Sequence, residues 1–217
     1  MGDRGARLLL WGYAAALAAE LAVISAGADW ARWITKPSLM LLLLGLVASA
    51  ARLRGPDAAV LTLGLVLALA ADIALLVEGT VAFLVGVGVF ACMQVCYLVL
   101  FTRLGAWAGL RRHMAVPVVY FGLWLTAAVV LWPRLGSLAA PIAAYSLLLV
   151  SMGALAAGIG LRVGLGGALF VLSDLLIGIG VAGAEFPLSG QAVMAAYAAA
   201  QVLIVTGVLV RLRARPD

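Results

Sequence analysis

Hydrophobic residues occupy the chain in eight long stretches separated by short polar breaks: Leu8 to Ala26, Pro37 to Ala51, Ala58 to Val77, Thr80 to Phe101, Ala115 to Trp132, Leu138 to Gly160, Gly164 to Val181 and Gln191 to Val210. Charged residues, Pro and Gly mark the breaks, and most stretches approach the roughly 20 apolar residues that a helix needs to cross a bilayer. The pattern predicts an all-α polytopic membrane protein of eight transmembrane helices, forming a single helical domain over residues 1–217. The second stretch is short for a crossing. It leaves two options open, a start before Pro37 or a partly re-entrant segment.

Charge placement orients these spans. With the N-terminus inside, Arg4, Arg7, Arg52, Arg54, Arg103, Arg111, Arg112, Arg162, Arg211, Arg213 and Arg215 all fall on the inner side, against Arg32, Lys36 and Arg134 outside. That bias agrees with an even number of spans and with both termini cytoplasmic. A secretory signal cleaved near Ala26-Gly27-Ala28 is the competing reading of the first stretch. The stretch is long for a signal core and contains Glu20, and its loss would leave an odd number of spans.

Two acids interrupt the apolar pattern within spans, Asp72 in the third and Asp174 in the seventh. Each costs about 2.5–3.5 kcal/mol near the bilayer centre, so together they ask for about 5–7 kcal/mol of compensation. At helical spacing Asp72 shares a stripe with Gly64, Ala68 and Leu76, and Asp174 shares one with Gly167, Phe170 and Gly178. Small neighbours imply close helix packing, with both acids pointing into the bundle. Counted from the inner ends of their spans, Asp72 lies about 21 Å and Asp174 about 16 Å deep, between the midplane and the outer leaflet.

Two further stripes are polar and aromatic: Gly86, Phe90, Gln94, Tyr97 and Phe101 in the fourth span, and Met194, Tyr197, Gln201 and Val205 in the eighth. An amide at this depth needs hydrogen-bond partners, which makes Gln94 and Gln201 more telling than the two tyrosines. A shared polar cavity follows if these faces meet. The plainer reading is that each acid bonds a Tyr, Gln or Ser of a neighbouring helix and fixes the packing. Ser173 is expected to bond back to its own helix, and Glu20 fits either a cavity or the outer interface. Pro37 and Pro141, 141 − 37 = 104 residues apart, and Asp72 and Asp174, 174 − 72 = 102 apart, hint at two parallel four-helix halves.

Composition excludes a soluble domain: 66% of the 217 residues are hydrophobic and 11% charged, where water-soluble domains are roughly one half apolar. The net charge of +5 resides in pairs and triplets at span ends, as orientation signals rather than a nucleic-acid surface. Arginine supplies all the basic residues except Lys36, which with the Ala, Leu, Val and Gly bias points to a GC-rich bacterial genome and a multi-pass cell-membrane protein. Cys92 and Cys96 share one helical face and read as small core residues. The single histidine, His113, lies in a basic loop, so no histidine-rich metal centre is expected, and no phosphate loop or haem site is present. No cofactor is expected.

With these residues in place, the sequence resembles the lysoplasmalogenase family, the YhhN-like membrane proteins. The likeness rests on Lys36-Pro37, the Asp72 segment, Phe90, Tyr97 and Phe101, Pro117 with Tyr120, and Tyr145 with Met152. It continues through the run from Gly167 to Asp174 and Tyr197-Ala198-Ala199-Ala200-Gln201. Ala71 stands where the family usually has Gly, and Gln94 where it usually has His. An amide holds a hydrogen bond but does not shuttle a proton near neutral pH.

The resemblance implies a hydrolase that cleaves the vinyl-ether bond of a lysophospholipid, releasing a fatty aldehyde and a glycerophospho-alcohol. That chemistry needs an acid to protonate the alkene and a carboxylate to steady the cation or activate water, roles open to Asp72 and Asp174. Tyr197, Gln201, Gln94 and Tyr97 would orient carboxyls, water and substrate, and Lys36, with Arg32, would meet the lipid phosphate at the outer rim. A small transporter, or a lipid binder of the same family without turnover, remains an alternative.

Overall fold

The computed structural model of the chain describes residues 3–50, 55–184 and 186–214, and the regular structure in them is helical. The apolar stretches become α1 (Asp3–Ala26), α2 (Asp29–Ser49), α3 (Pro56–Ala74) and α4 (Thr80–Arg103). A five-residue helix, α5 (Ala106–Leu110), follows, and then α6 (Ala115–Leu135), α7 (Ala139–Ile159), α8 (Leu161–Val181) and α9 (Ser189–Arg213). Without α5 these helices have 19 to 25 residues, enough to cross about 30 Å of hydrocarbon. By length and apolarity they form seven continuous candidate spans, because Ala115–Ile159 holds both α6 and α7, joined by a tight 3-10 turn at Gly136–Leu138. This is a polytopic all-α membrane protein.

The second stretch is a full-length helix and not a re-entrant one. Gly27 ends α1 in a left-handed conformation (φ 64°), and Asp29 opens α2 eight residues before Pro37. Pro37 is therefore internal, where it withholds the N–H that would bond one turn back. Pro141 instead lies in the first turn of α7, so the two prolines do not hold equivalent places and lend nothing to a repeat. The acids differ likewise. Asp72 is two residues from the end of α3, and Asp174 is seven from the end of α8.

By Cα proximity the chain divides into two compact units, residues 1–100 with 208–217, and residues 101–207. In the first, α1 and α2 run antiparallel, with Gly12 against Leu42 and Gly45 against Leu9, and α3 packs on α2. The Tyr97 ring of α4 lies so close to α3 that a Cβ on Gly64 would stand 2.9 Å from it. In the second, α7 packs against α5, α6 and α8. Gly109 and Gly158 bring the α5 and α7 backbones into contact, and a Cβ on Gly109 would meet the Gly158 carbonyl oxygen at 2.1 Å. Trp124 Nε1 ties α6 to α7 through Ser146 Oγ at 3.1 Å.

Polarity is inverted relative to a soluble protein. Trp11, Val81, Val118 and Leu161 are exposed, while Glu20, Lys36, Asp72, Gln94, Ser173 and Gln201 are buried. A lipid-facing surface needs no polar groups, and the bundle interior is where such groups find partners. Cys92 and Cys96 depart from expectation: Cys92 is exposed and Cys96 half-buried, because the core face of α4 carries Phe90, Met93, Gln94 and Tyr97.

Candidate functional site

In the first unit the buried faces of α1 to α4 carry a line of polar side chains. Lys36 Nζ of α2 lies 3.3 Å from Asp72 Oδ1 of α3, with side-chain exposures of 9% and 2%. The expectation that Lys36 stands at the rim is thus corrected: it lies inside, against the acid. A bare carboxylate there would be costly, and the ammonium meets its charge in place. The Tyr13 hydroxyl of α1, also buried, is within electrostatic reach of both Asp72 and Tyr97.

Gln94 shares the buried face of α4 with Phe90 and Tyr97, and its side chain is wholly enclosed. Neither its Nε2 nor its Oε1 has a hydrogen-bond partner among the described residues. Each such group keeps an uncompensated desolvation cost, on the order of 1–3 kcal/mol. Buried unsatisfied amides of this kind mark places where water or a ligand group completes the bonding.

One turn nearer the α1–α2 turn is a second set of charges. Glu20, fully buried on α1, accepts a hydrogen bond from Arg32 Nε at 3.1 Å on one carboxylate oxygen and from the Thr35 hydroxyl on the other. Sequence reasoning left Glu20 between cavity and interface, and the pairing places it inside. Tyr13 and Thr35 were missed altogether. The available signal for Tyr13 was its seven-residue spacing from Glu20, which puts both on one face of α1.

The second unit holds the other acid. Tyr145 of α7 donates from its hydroxyl to Asp174 Oδ2 of α8 at 2.5 Å, and Asp174 is half-buried where Asp72 is enclosed. Ser173 does not bond back to its own helix. Its hydroxyl donates to the Val193 carbonyl of α9 at 3.1 Å and so couples α8 to α9 beside the acid. On the same pair of helices the Phe170 and Tyr197 rings meet edge-on at 5.5 Å, and Gln201 Nε2 reaches the Tyr197 hydroxyl at 3.4 Å, one turn along. The structure therefore joins Lys36 with Asp72, and Tyr197 with Gln201, and gives Asp174 a partner, Tyr145, whose role spacing did not announce.

An enclosed carboxylate beside an ammonium, a half-buried carboxyl beside a phenol and a buried amide with open bonding capacity are groups able to hold, donate or accept protons within a lipid-surrounded fold. Among known proteins, no curated protein and no solved structure matches the chain. Residues 31–208 match the model of the YhhN family.

Proposed function

The chain belongs to the YhhN family, and from that premise we propose that it is a membrane lysoplasmalogenase, hydrolysing the vinyl ether of a lysophospholipid of the ethanolamine or choline type. The observation that carries the reading is the Lys36–Asp72 pair, a carboxylate enclosed within the fold with its charge compensated. Asp72 and Asp174 are the residues we assign to the chemistry. Gln94, Tyr97, Tyr197 and Gln201 orient the reacting groups, and Lys36 sets the charge at Asp72. The protein works as a multi-pass protein of the cell membrane with both termini in the cytoplasm.

The reaction balances without a cofactor. A carboxylic acid protonates the alkene carbon remote from oxygen, and the adjacent carbon becomes an oxocarbenium ion. Water adds there and gives up a proton to a carboxylate, and the resulting hemiacetal collapses to a fatty aldehyde and the glycerophospho-alcohol. Groups that stabilise the transient cation accelerate the step most where water is scarce.

The test is aldehyde release from a vinyl-ether lysophospholipid by the purified protein, beside Asp72→Asn and Asp174→Asn. Release by the wild type and a loss of at least about a hundredfold in each variant supports the assignment, in keeping with the usual contribution of acid–base groups. Full activity in either folded variant removes that acid from the scheme. Proton-coupled uptake in proteoliposomes without lipid turnover favours the transporter instead.

A further inference from the structure

The Glu20, Arg32 and Thr35 cluster has no part in the chemistry above, yet its geometry is not that of a closed structural pin. Both Glu20 oxygens are engaged, one accepting from Arg32 Nε and one from the Thr35 hydroxyl. The guanidinium is held through Nε alone, not through the two-pronged contact that makes Arg–carboxylate pairs strongest. Its side chain remains 27% exposed, and among the described residues Nη1 has only the Asp29 carboxylate at 3.9 Å, on a side chain that is 85% exposed. Glu20 thus orients Arg32 through Nε and leaves the Nη edge, a fork of N–H donors, with Nη1 on the side of Asp29, the first residue of α2. Such a fork matches the oxygens of a phosphate.

Position then links this fork to the acid. Arg32 and Lys36 are four residues apart on α2, so they share a face, with about 6 Å of rise between them. Lys36 holds Asp72 at the deeper level. In a lysoplasmalogen the phosphate and the enol ether are separated by the three carbons of glycerol, a spacer of similar reach. We propose that Arg32 is the receptor for the phosphodiester of a lysophospholipid that enters at the α1–α2 end. Glu20 and Thr35 are positioning residues, and Lys36 is committed to Asp72 rather than to the headgroup. The inference rests on the reading of Asp72 as the residue acting on the ether, and it predicts binding that depends on phosphate whether or not turnover follows.

The test uses the full-length protein in detergent and ligands that cannot be hydrolysed: a saturated alkyl-glycerophosphocholine, and the matching alkylglycerol without phosphate, each titrated by its protection against thermal unfolding. The wild type is expected to prefer the phosphate-bearing lipid by roughly ten- to a hundredfold, the range of a charged hydrogen-bonded contact. Arg32→Ala abolishes that preference while alkylglycerol binding is unchanged, and Arg32→Lys retains part of it. Asp29→Asn, at an exposed position, strengthens the preference by removing the competing carboxylate. An undiminished preference in folded Arg32→Ala overturns the proposal, and if that variant does not fold, an unaltered preference in Asp29→Asn does so. Inorganic phosphate is the remaining arm: protection by it equal to that of the lysolipid overturns the lipid assignment in favour of a free-phosphate site. Because none of the ligands turns over, an inactive protein that still shows Arg32-dependent preference refutes the hydrolase and leaves the receptor standing.

Discussion

The Lys36–Asp72 pair makes a quantitative prediction. At 3.3 Å, and with the effective dielectric of about 20 that suits such sites, the attraction is about 332/(20 × 3.3), or about 5 kcal/mol. Desolvation of both ions offsets most of this, so the intact pair is close to neutral relative to an apolar pair of similar volume. Removing one partner is different, because the other charge stays enclosed. Lys36→Met and Asp72→Leu should each cost about 3–5 kcal/mol. The double variant should fall within about 2 kcal/mol of the wild type. The sum of the single effects is then about 6–10 kcal/mol, and a coupling of about 4 kcal/mol or more must appear in the cycle. Reversible unfolding in mixed micelles measures all four proteins. If the double variant loses as much as the two singles together, the pair does not exist in the membrane protein, and Lys36 instead extends to the interface.

Other outcomes follow from single contacts. Gln94→Leu should raise stability by about 1–3 kcal/mol, since two amide atoms without partners are removed. No gain in the unfolding midpoint would mean that water already completes the bonding there. Tyr145→Phe should cost about 1.5–3 kcal/mol through loss of the bond to Asp174, and Ser173→Ala about 1 kcal/mol through the α8–α9 link. An effect below about 0.5 kcal/mol in denaturation of Tyr145→Phe would refute that bond. Gly109→Ala should cost at least about 1–3 kcal/mol, because the added methyl meets the Gly158 carbonyl. Gly122→Ala on α6, where nothing lies within 4 Å, should gain about 0.5–1 kcal/mol by helix propensity. Equal midpoints for the two glycine variants would contradict the α5–α7 approach.

Most of the helices were legible because hydrocarbon imposes a rule that each stretch of chain obeys separately: a crossing segment must be long, apolar and internally hydrogen-bonded. That rule placed the long helices to within a few residues wherever charge or glycine ended the run, as at Ala26 and Thr80. At α2 it left a start before Pro37 and a re-entrant segment both open, and the structure takes the earlier start, because a stretch that begins with Asp29, Trp30 and Arg32 looks like a loop until its charges find partners. It gave no warning of α5, whose five residues are too short to have a period. The cysteines were misplaced although the Gln94 and Tyr97 stripe already marked the core face of α4: each is two residues from Gln94, which at 100° per residue sets it on the opposite side.

The sequence by itself determined that this chain crosses a membrane many times, that it carries two acids within its spans, and that its residues follow the YhhN pattern. Those properties reside in single segments or in the order of motifs along the chain. Partnership was decided by the tertiary structure alone. Lys36 meets Asp72 and not the rim, Arg32 takes Glu20 through one nitrogen, Tyr145 serves Asp174, and Ser173 bonds another helix rather than its own. The reason is physical: a buried charge or hydroxyl chooses among all donors and acceptors brought near it by packing, and a period of 3.6 residues specifies a face but not what lies opposite.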